Sequence, residues 1–145
     1  MNKKREVQLE SLLEKMMCVM KSFHAHQGIP FGEFKLSRPQ VMVLFFVFRQ
    51  KDGATGKDLA KFLNVTSGAV TQFIDVLVKK KLLQREEDAK DRRILRIRLT
   101  SMAQEKFATF KKKYYQSVSP AFNGLTQAEI NQLSTPIQKI KTVKE

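Results

Sequence analysis

Ionisable residues crowd most densely between Asp88 and Thr100, where Asp88, Lys90, Asp91, Arg92, Arg93, Arg96 and Arg98 fall within eleven positions. Guanidinium and ammonium groups at this spacing suit contact with a phosphate backbone rather than bond making. Leu95, Ile97 and Leu99 repeat at period two and are expected to face a core, with Arg96 and Arg98 on the opposite face of the same strand. Leu82–Glu87 supplies a partner strand across a polar turn, so the stretch reads as a basic hairpin. The other reactive side chains offer less. His24 and His26 are two apart, which places them on different faces of a helix, and with one cysteine in the chain no metal-ligand spacing arises. Glycine-rich phosphate loops and a Gly-x-Ser-x-Gly elbow are both missing from the sequence, so neither an enzyme nor a cofactor is expected.

A hairpin of this kind needs a scaffold, and the residues before it supply one. Thr55 with Asp58 forms the start of a capping box, and Leu59, Phe62 and Leu63 make an apolar stripe with small Ala60 beside it. Asn64 tolerates the left-handed backbone that a sharp turn requires. Thr66 can then cap a second helix whose Val70, Phe73, Ile74 and Leu77 fall at i, i+3, i+4 and i+7. On its opposite face Ser67, Gly68, Thr71 and Gln72 are small or hydrogen-bonding and uncharged. They are suited to base edges in a major groove, with the free N–H groups of the helix end available to a phosphate. An ordinary amphipathic helix would look similar. The basic hairpin directly behind it favours DNA.

With these motifs in place the chain resembles a MarR-family transcriptional regulator over nearly its whole length. The resemblance rests on a long first helix, a Ser37-x-x-Gln40 helix start, the two-helix reader, the Asp91-Arg92-Arg93 turn, Leu99-Thr100 opening the next helix, and a closing helix after Thr126. It implies that Arg93 enters the minor groove as the wing-tip arginine and that Asp91 braces it. It also implies a homodimer interlocked through the first and last helices. Three residues depart from the family pattern: Lys81 stands where a glycine usually ends the reader helix, Ala89 replaces the wing proline, and Ala103 replaces the glycine after Leu-Thr.

Composition agrees with a polyanionic partner. The chain has 145 residues, enough to bury a core as one domain, and 42% are hydrophobic. Its 27 basic residues against 14 acidic ones leave a net charge of +13, which favours nucleic acid over a membrane surface. No apolar run approaches the roughly 20 residues that span a bilayer. The start, Met1 to Glu6, is polar and leads into an amphipathic helix rather than a signal peptide, and a lone cysteine suits a reducing cytoplasm. Leu9, Leu12, Leu13, Met16, Met17 and Met20 trace the first helical stripe, which ends before a loop at Gly28-Ile29-Pro30. Ser37 opens a helix that is apolar all round from Val41 to Phe48. Ala103, Phe107, Phe110 and Tyr114 form another stripe, and Leu125, Ile130, Leu133, Ile137 and Ile140 the last, which Pro136 should kink or break.

The expected architecture is therefore mainly α with a small β-hairpin: one winged helix-turn-helix domain. Residues 35–100 would read DNA, and residues 1–34 and 101–145 would supply dimerisation helices. Lys90, Arg92 and Arg93 serve the wing, Ser67, Gly68, Thr71 and Gln72 the base edges, and Lys79, Lys80, Arg96 and Arg98 the phosphates. Met20, Phe23, Phe45 and Phe48 could line a pocket for an apolar or phenolic effector of a repressor, although core packing explains each of them singly. Cys18 sits among Met16, Met17, Val19 and Met20, a setting expected to blunt its thiol. A protein-binding winged helix and a Cys18-based redox sensor are the alternatives.

Overall fold

Three capping boxes set the boundaries of the helices that matter. The structure, a computed structural model, describes residues 2–24 and 29–141. Helix α1 runs Lys3–His24, and a hairpin of β1 (Ile29–Phe31) and β2 (Phe34–Leu36) follows. Ser37 then caps α2 (Arg38–Phe48): its Oγ accepts from Gln40 N, and the Gln40 side chain returns the bond to Ser37 N at 2.9 Å. Thr55 and Asp58 do the same for α3 (Gly56–Leu63), and Thr126 and Glu129 for α6 (Gln127–Lys139). Between them lie α4 (Ser67–Lys79), β3 (Leu83–Glu87), β4 (Leu95–Leu99), α5 (Ser101–Val118) and a 3-10 turn at Ser119–Phe122.

The first compact unit, residues 1–110, holds the core. Val43, Leu44, Leu59, Val70, Leu77, Leu82, Leu83, Ile97 and Leu99 are buried where α2, α3, α4 and the β3–β4 hairpin meet. Phe31 of β1 and Phe107 of α5 are fully buried, and Phe31 lies 5.0 Å from Phe110, ring centre to ring centre. Complete burial of one such ring is worth about 1.5–3 kcal/mol. The second unit, residues 111–145, contains the end of α5, the 3-10 turn and α6.

Several expectations are corrected. The stretch after α1 is a second antiparallel hairpin, with Ile29 opposite Leu36 and Phe31 opposite Phe34, rather than a plain loop. Leu95 is half exposed although Ile97 and Leu99 are buried, because the hairpin extends beyond the core at that end. Phe62 is 46% exposed, its ring set 4.6 Å from that of Phe46 at the edge of the core. Pro136 does not break α6, which continues to Lys139: proline removes one backbone donor, and its fixed φ is compatible with helix.

Candidate nucleic-acid interface

The turn between α3 and α4 is built as its residues dictate. Asn64 ends α3 at φ 54° and ψ 47°, the left-handed conformation that asparagine adopts at low cost. Thr66 then caps α4, its Oγ1 accepting from Ala69 N at 3.2 Å. The buried side of α4 is Val70, Ile74 and Leu77. Its opposite side carries Ser67, Gly68, Thr71 and Gln72, all exposed, with no charge among them. The Thr71 hydroxyl donates to Ser67 O at 2.9 Å, which commits its proton and leaves an acceptor and a methyl group outward.

Lys79 is exposed at the end of α4, whereas Lys80 is half-buried with its ammonium 5.2 Å from the centre of the Phe34 ring, a cation–π contact to the β1–β2 hairpin. Lys81 takes φ 57° at the position where the chain leaves α4 for β3. Its carbonyl accepts the Thr100 hydroxyl at 2.7 Å, fastening the start of the β3–β4 hairpin to the start of α5.

The hairpin is antiparallel, with Glu86 opposite Arg96 and Gln84 opposite Arg98. Its base is secured by a two-way bridge between Ala54 and Ile97, at 2.9 and 2.7 Å. The preceding Gly53 has φ 77°, and a Cβ there would meet Ile97 O at 3.0 Å, so glycine is required on both counts. At the tip, the Asp91 carboxylate receives Arg93 through both oxygens, at 3.1 Å from Nε and 3.2 Å from Nη2. This pair holds the Asp91 carboxyl below the usual carboxylate range. The Arg93 side chain stays 91% exposed, a pre-extended guanidinium at the outer end of the wing. Lys90 and Arg92 are exposed beside it.

Arg96 and Arg98 are differently placed. Arg96 Nε donates to Asp88 Oδ2 at 2.7 Å. Arg98 pairs with Glu86 at 2.9 Å and also donates to Lys51 O at 3.0 Å. Arg85, for which the sequence alone suggests no partner, pairs with Asp75 on α4. Cross-strand register decides the Arg96 and Arg98 pairs, and the packing of β3 on α4 decides that of Arg85. The alternation of residues along one strand carries no trace of them.

The four residues considered for an effector pocket are not gathered at one described cavity. Phe45 meets Phe107 edge to face and Phe48 lies tilted against it, at 4.9 and 4.5 Å between ring centres. Met20 is exposed on α1, and the Phe23 side chain lies outside the described residues, as do the side chains of His24 and His26. A cleft of about 270 Å³ is floored by Val47, Phe48 and Leu99 and rimmed by Gln50, Lys51, Arg98 and Gln104. Cys18 is exposed, so its apolar sequence neighbours do not enclose it. Among the described residues no group of three or more His, Cys, Asp or Glu could hold a metal ion, and no helix is long and apolar enough to cross a membrane.

The fold has counterparts among known proteins. The family described as a winged helix DNA-binding domain matches residues 36–103. The HTH-type transcriptional repressor YetL of Bacillus subtilis is 26% identical over 122 residues, covering 83% of this chain and 69% of YetL. The transcriptional regulator AdcR of Streptococcus pyogenes is 32% identical over 101 residues, 68% of this chain and 66% of AdcR. Among solved structures, the transcriptional regulator SlyA superposes with a TM-score of 0.73 at 23% identity, over 88% of this chain and 89% of that one. A MarR family protein from Bacillus stearothermophilus gives 0.71 at 18% identity, over 96% and 94%. CouR from Rhodococcus jostii RHA1, solved bound to p-coumaroyl-CoA, gives 0.65 at 20% identity, over 75% and 78%.

Proposed function

We propose that this chain, whose residues 36–103 match a winged helix DNA-binding domain, is a transcriptional regulator of the MarR type rather than an enzyme, and that it acts as a cytoplasmic homodimeric repressor, reads palindromic DNA, and is released by a small apolar or phenolic molecule. The observation that carries this reading is the pairing of an uncharged, exposed helix start at Ser67, Gly68, Thr71 and Gln72 with the braced and exposed Arg93. The helix presents hydrogen-bonding groups and methyls to major-groove edges. The arginine reads the negative potential of a narrow, A·T-rich minor groove. Lys79, Lys90 and Arg92 add charge for the backbone between these contacts.

Dimerisation through residues 1–34 and 101–145 is supported by apolar side chains that the single chain leaves in water. On α1, Leu9, Leu12, Leu13, Met16 and Met20 are exposed, and so are Ile130, Leu133 and Ile137 on α6 and Ile140 just after it. Stripes of this kind call for a partner surface, and a two-fold dimer is the commonest solution. A dimer would also present two reader helices to two half-sites. Effector release is supported by the aromatic cluster of Phe45, Phe48 and Phe107 and by the cleft beside it. A ligand wedged there bears on α2, β4 and α5 together.

Fluorescence anisotropy on DNA selected from a random pool tests the reading. Binding that engages many phosphates should weaken about 10³-fold or more between 50 and 200 mM salt. A flat response would point instead to a winged helix that binds protein.

A further inference from the structure

The arginines of the wing divide between two tasks, and the carboxylates around them decide which arginine does which. Arg85 is taken by Asp75 of α4, Arg98 by Glu86 and Lys51 O, and Arg96 by Asp88. The last pair is the most enclosed, with side-chain exposures of 27% for Arg96 and 15% for Asp88. Asp88 divides its two oxygens. Oδ2 receives Arg96 Nε at 2.7 Å, while Oδ1 receives the backbone amides of Lys90 and Asp91 at 2.8 and 3.0 Å. One carboxylate therefore ties strand β4 to the turn from which Arg92 and Arg93 project. Among the described residues, Lys90 and Arg92 have no ion pair.

We propose that Asp88 is a positioning residue for DNA reading: through Arg96 it sets the wing tip that carries Arg92 and Arg93, and Arg96 and Arg98 are struts rather than phosphate contacts. The inference rests on the DNA-reading function proposed above. Counterion release depends on charge that the protein brings to the phosphates. A guanidinium already matched by a carboxylate brings little net charge, so Arg96 with Asp88 and Arg98 with Glu86 contribute stiffness. Lys90 and Arg92 carry the electrostatic contact of the wing. Without the Asp88 strut, the tip would sample several orientations, and each productive contact would first have to overcome that freedom.

The oxygen assignment supplies a selective test. Asp88→Asn keeps an Oδ1 acceptor for the two amides but sets an NH2 group against the Arg96 guanidinium, which cuts the strut and spares the turn. Charge alone predicts tighter DNA binding, because a negative group near the phosphates is gone. Positioning predicts the reverse: weaker binding to the selected DNA, on the order of tenfold for the two wings of a dimer, the worth of one net hydrogen bond in each. The salt slope should stay as in the parent for Asp88→Asn combined with Arg96→Gln, which leaves the net charge unchanged, and fall by about 1.8 per dimer for Arg92→Gln. Asp88→Asn combined with Arg96→Gln should bind no worse than either alone, because both remove the same contact. Asp88→Ala also removes the acceptor of the turn and should lose more than Asp88→Asn. Circular dichroism confirms that each variant is folded. Tighter binding by Asp88→Asn, parent-like binding by it while Asp88→Ala is weak, or a slope in the Asp88→Asn, Arg96→Gln double variant reduced as in Arg92→Gln would each overturn the proposal. A parent protein without salt-dependent, sequence-specific DNA binding would sink the DNA-reading function itself.

Discussion

Lys81→Gly should make this protein more stable, although it removes a side chain. Lys81 stands at φ 57°, where an L-residue brings its Cβ too close to the following carbonyl, at a cost of about 1–2 kcal/mol. Glycine escapes that cost but is freer in the unfolded chain, which takes back about 0.4–1 kcal/mol. The contacts of this residue that hold the wing are backbone ones: Lys81 N donates to Val78 O at 2.9 Å, and its carbonyl accepts from Thr100 Oγ1 at 2.7 Å. Glycine keeps both. The balance is a gain of roughly 0.5–1 kcal/mol, or about 1–4 °C in Tm for a chain of this size. Thermal unfolding followed by circular dichroism, at one protein concentration, measures it. Lys81→Ala removes the same charge but keeps the strained backbone, so it should give no gain. If Lys81→Ala raises Tm as much as Lys81→Gly, the effect comes from charge and the strain argument fails; a lower Tm for Lys81→Gly refutes it as well.

Four further outcomes follow from the same geometry. Arg93→Ala removes a side chain that is 91% exposed, so it should leave Tm unchanged yet cost on the order of 1–3 kcal/mol of DNA binding per half-site and relax the preference at flanking A·T positions; Asp91→Ala should lose less, and anisotropy on selected DNA separates the two. Thr71→Ser keeps the bond to Ser67 O but loses the outward methyl, so selection should show weaker thymine preference at one inner position by about fourfold, whereas Thr71→Val should retain it. Cys18→Ser should bind DNA as the parent does, with peroxide releasing neither; release from the parent alone would establish the redox-sensor alternative. The Asp88 carboxyl is held at about 2 against its usual 3.8, chiefly by the Arg96 guanidinium, and the Thr55 cap holds that of Asp58 below its ordinary value. Groups depressed on folding stabilise above their unfolded pKa, so this contribution is complete at neutral pH and is lost as pH falls from 3.8 toward 2. Chemical unfolding at stepped pH values should show that decline, and stability unchanged down to pH 2 would contradict it.

Local chemistry made most of the reader legible before any coordinates. The capping pairs Ser37 with Gln40 and Thr55 with Asp58 close within four residues, and Asn64 requires only its own side chain to favour a left-handed turn. The Asp91–Arg93 brace is likewise formed within one turn. What depended on distant residues was hidden. The pairing of Arg96 with Asp88 and of Arg98 with Glu86 requires the register of the hairpin, and so does the half-exposure of Leu95 at its outer end. The β1–β2 hairpin has strands of only three residues, one containing Pro30, which reads as a loop in isolation. Its signal was the run Phe31-Gly32-Glu33-Phe34, with two aromatics flanking a glycine at φ 59°. Helix α6 carries Pro136 because a single lost bond does not outweigh the remaining turns.

Sequencing the duplex DNA that the purified protein selects from a random pool tests the central claim most directly. Two copies of the Ser67–Gln72 reader and the Arg93 wing, related by two-fold symmetry, predict an inverted repeat with half-sites separated by about one helical turn or a multiple of it, flanked by A·T-rich steps. Failure to enrich any sequence, in a folded protein that binds the pool as a whole, would contradict sequence-specific reading by this helix and wing.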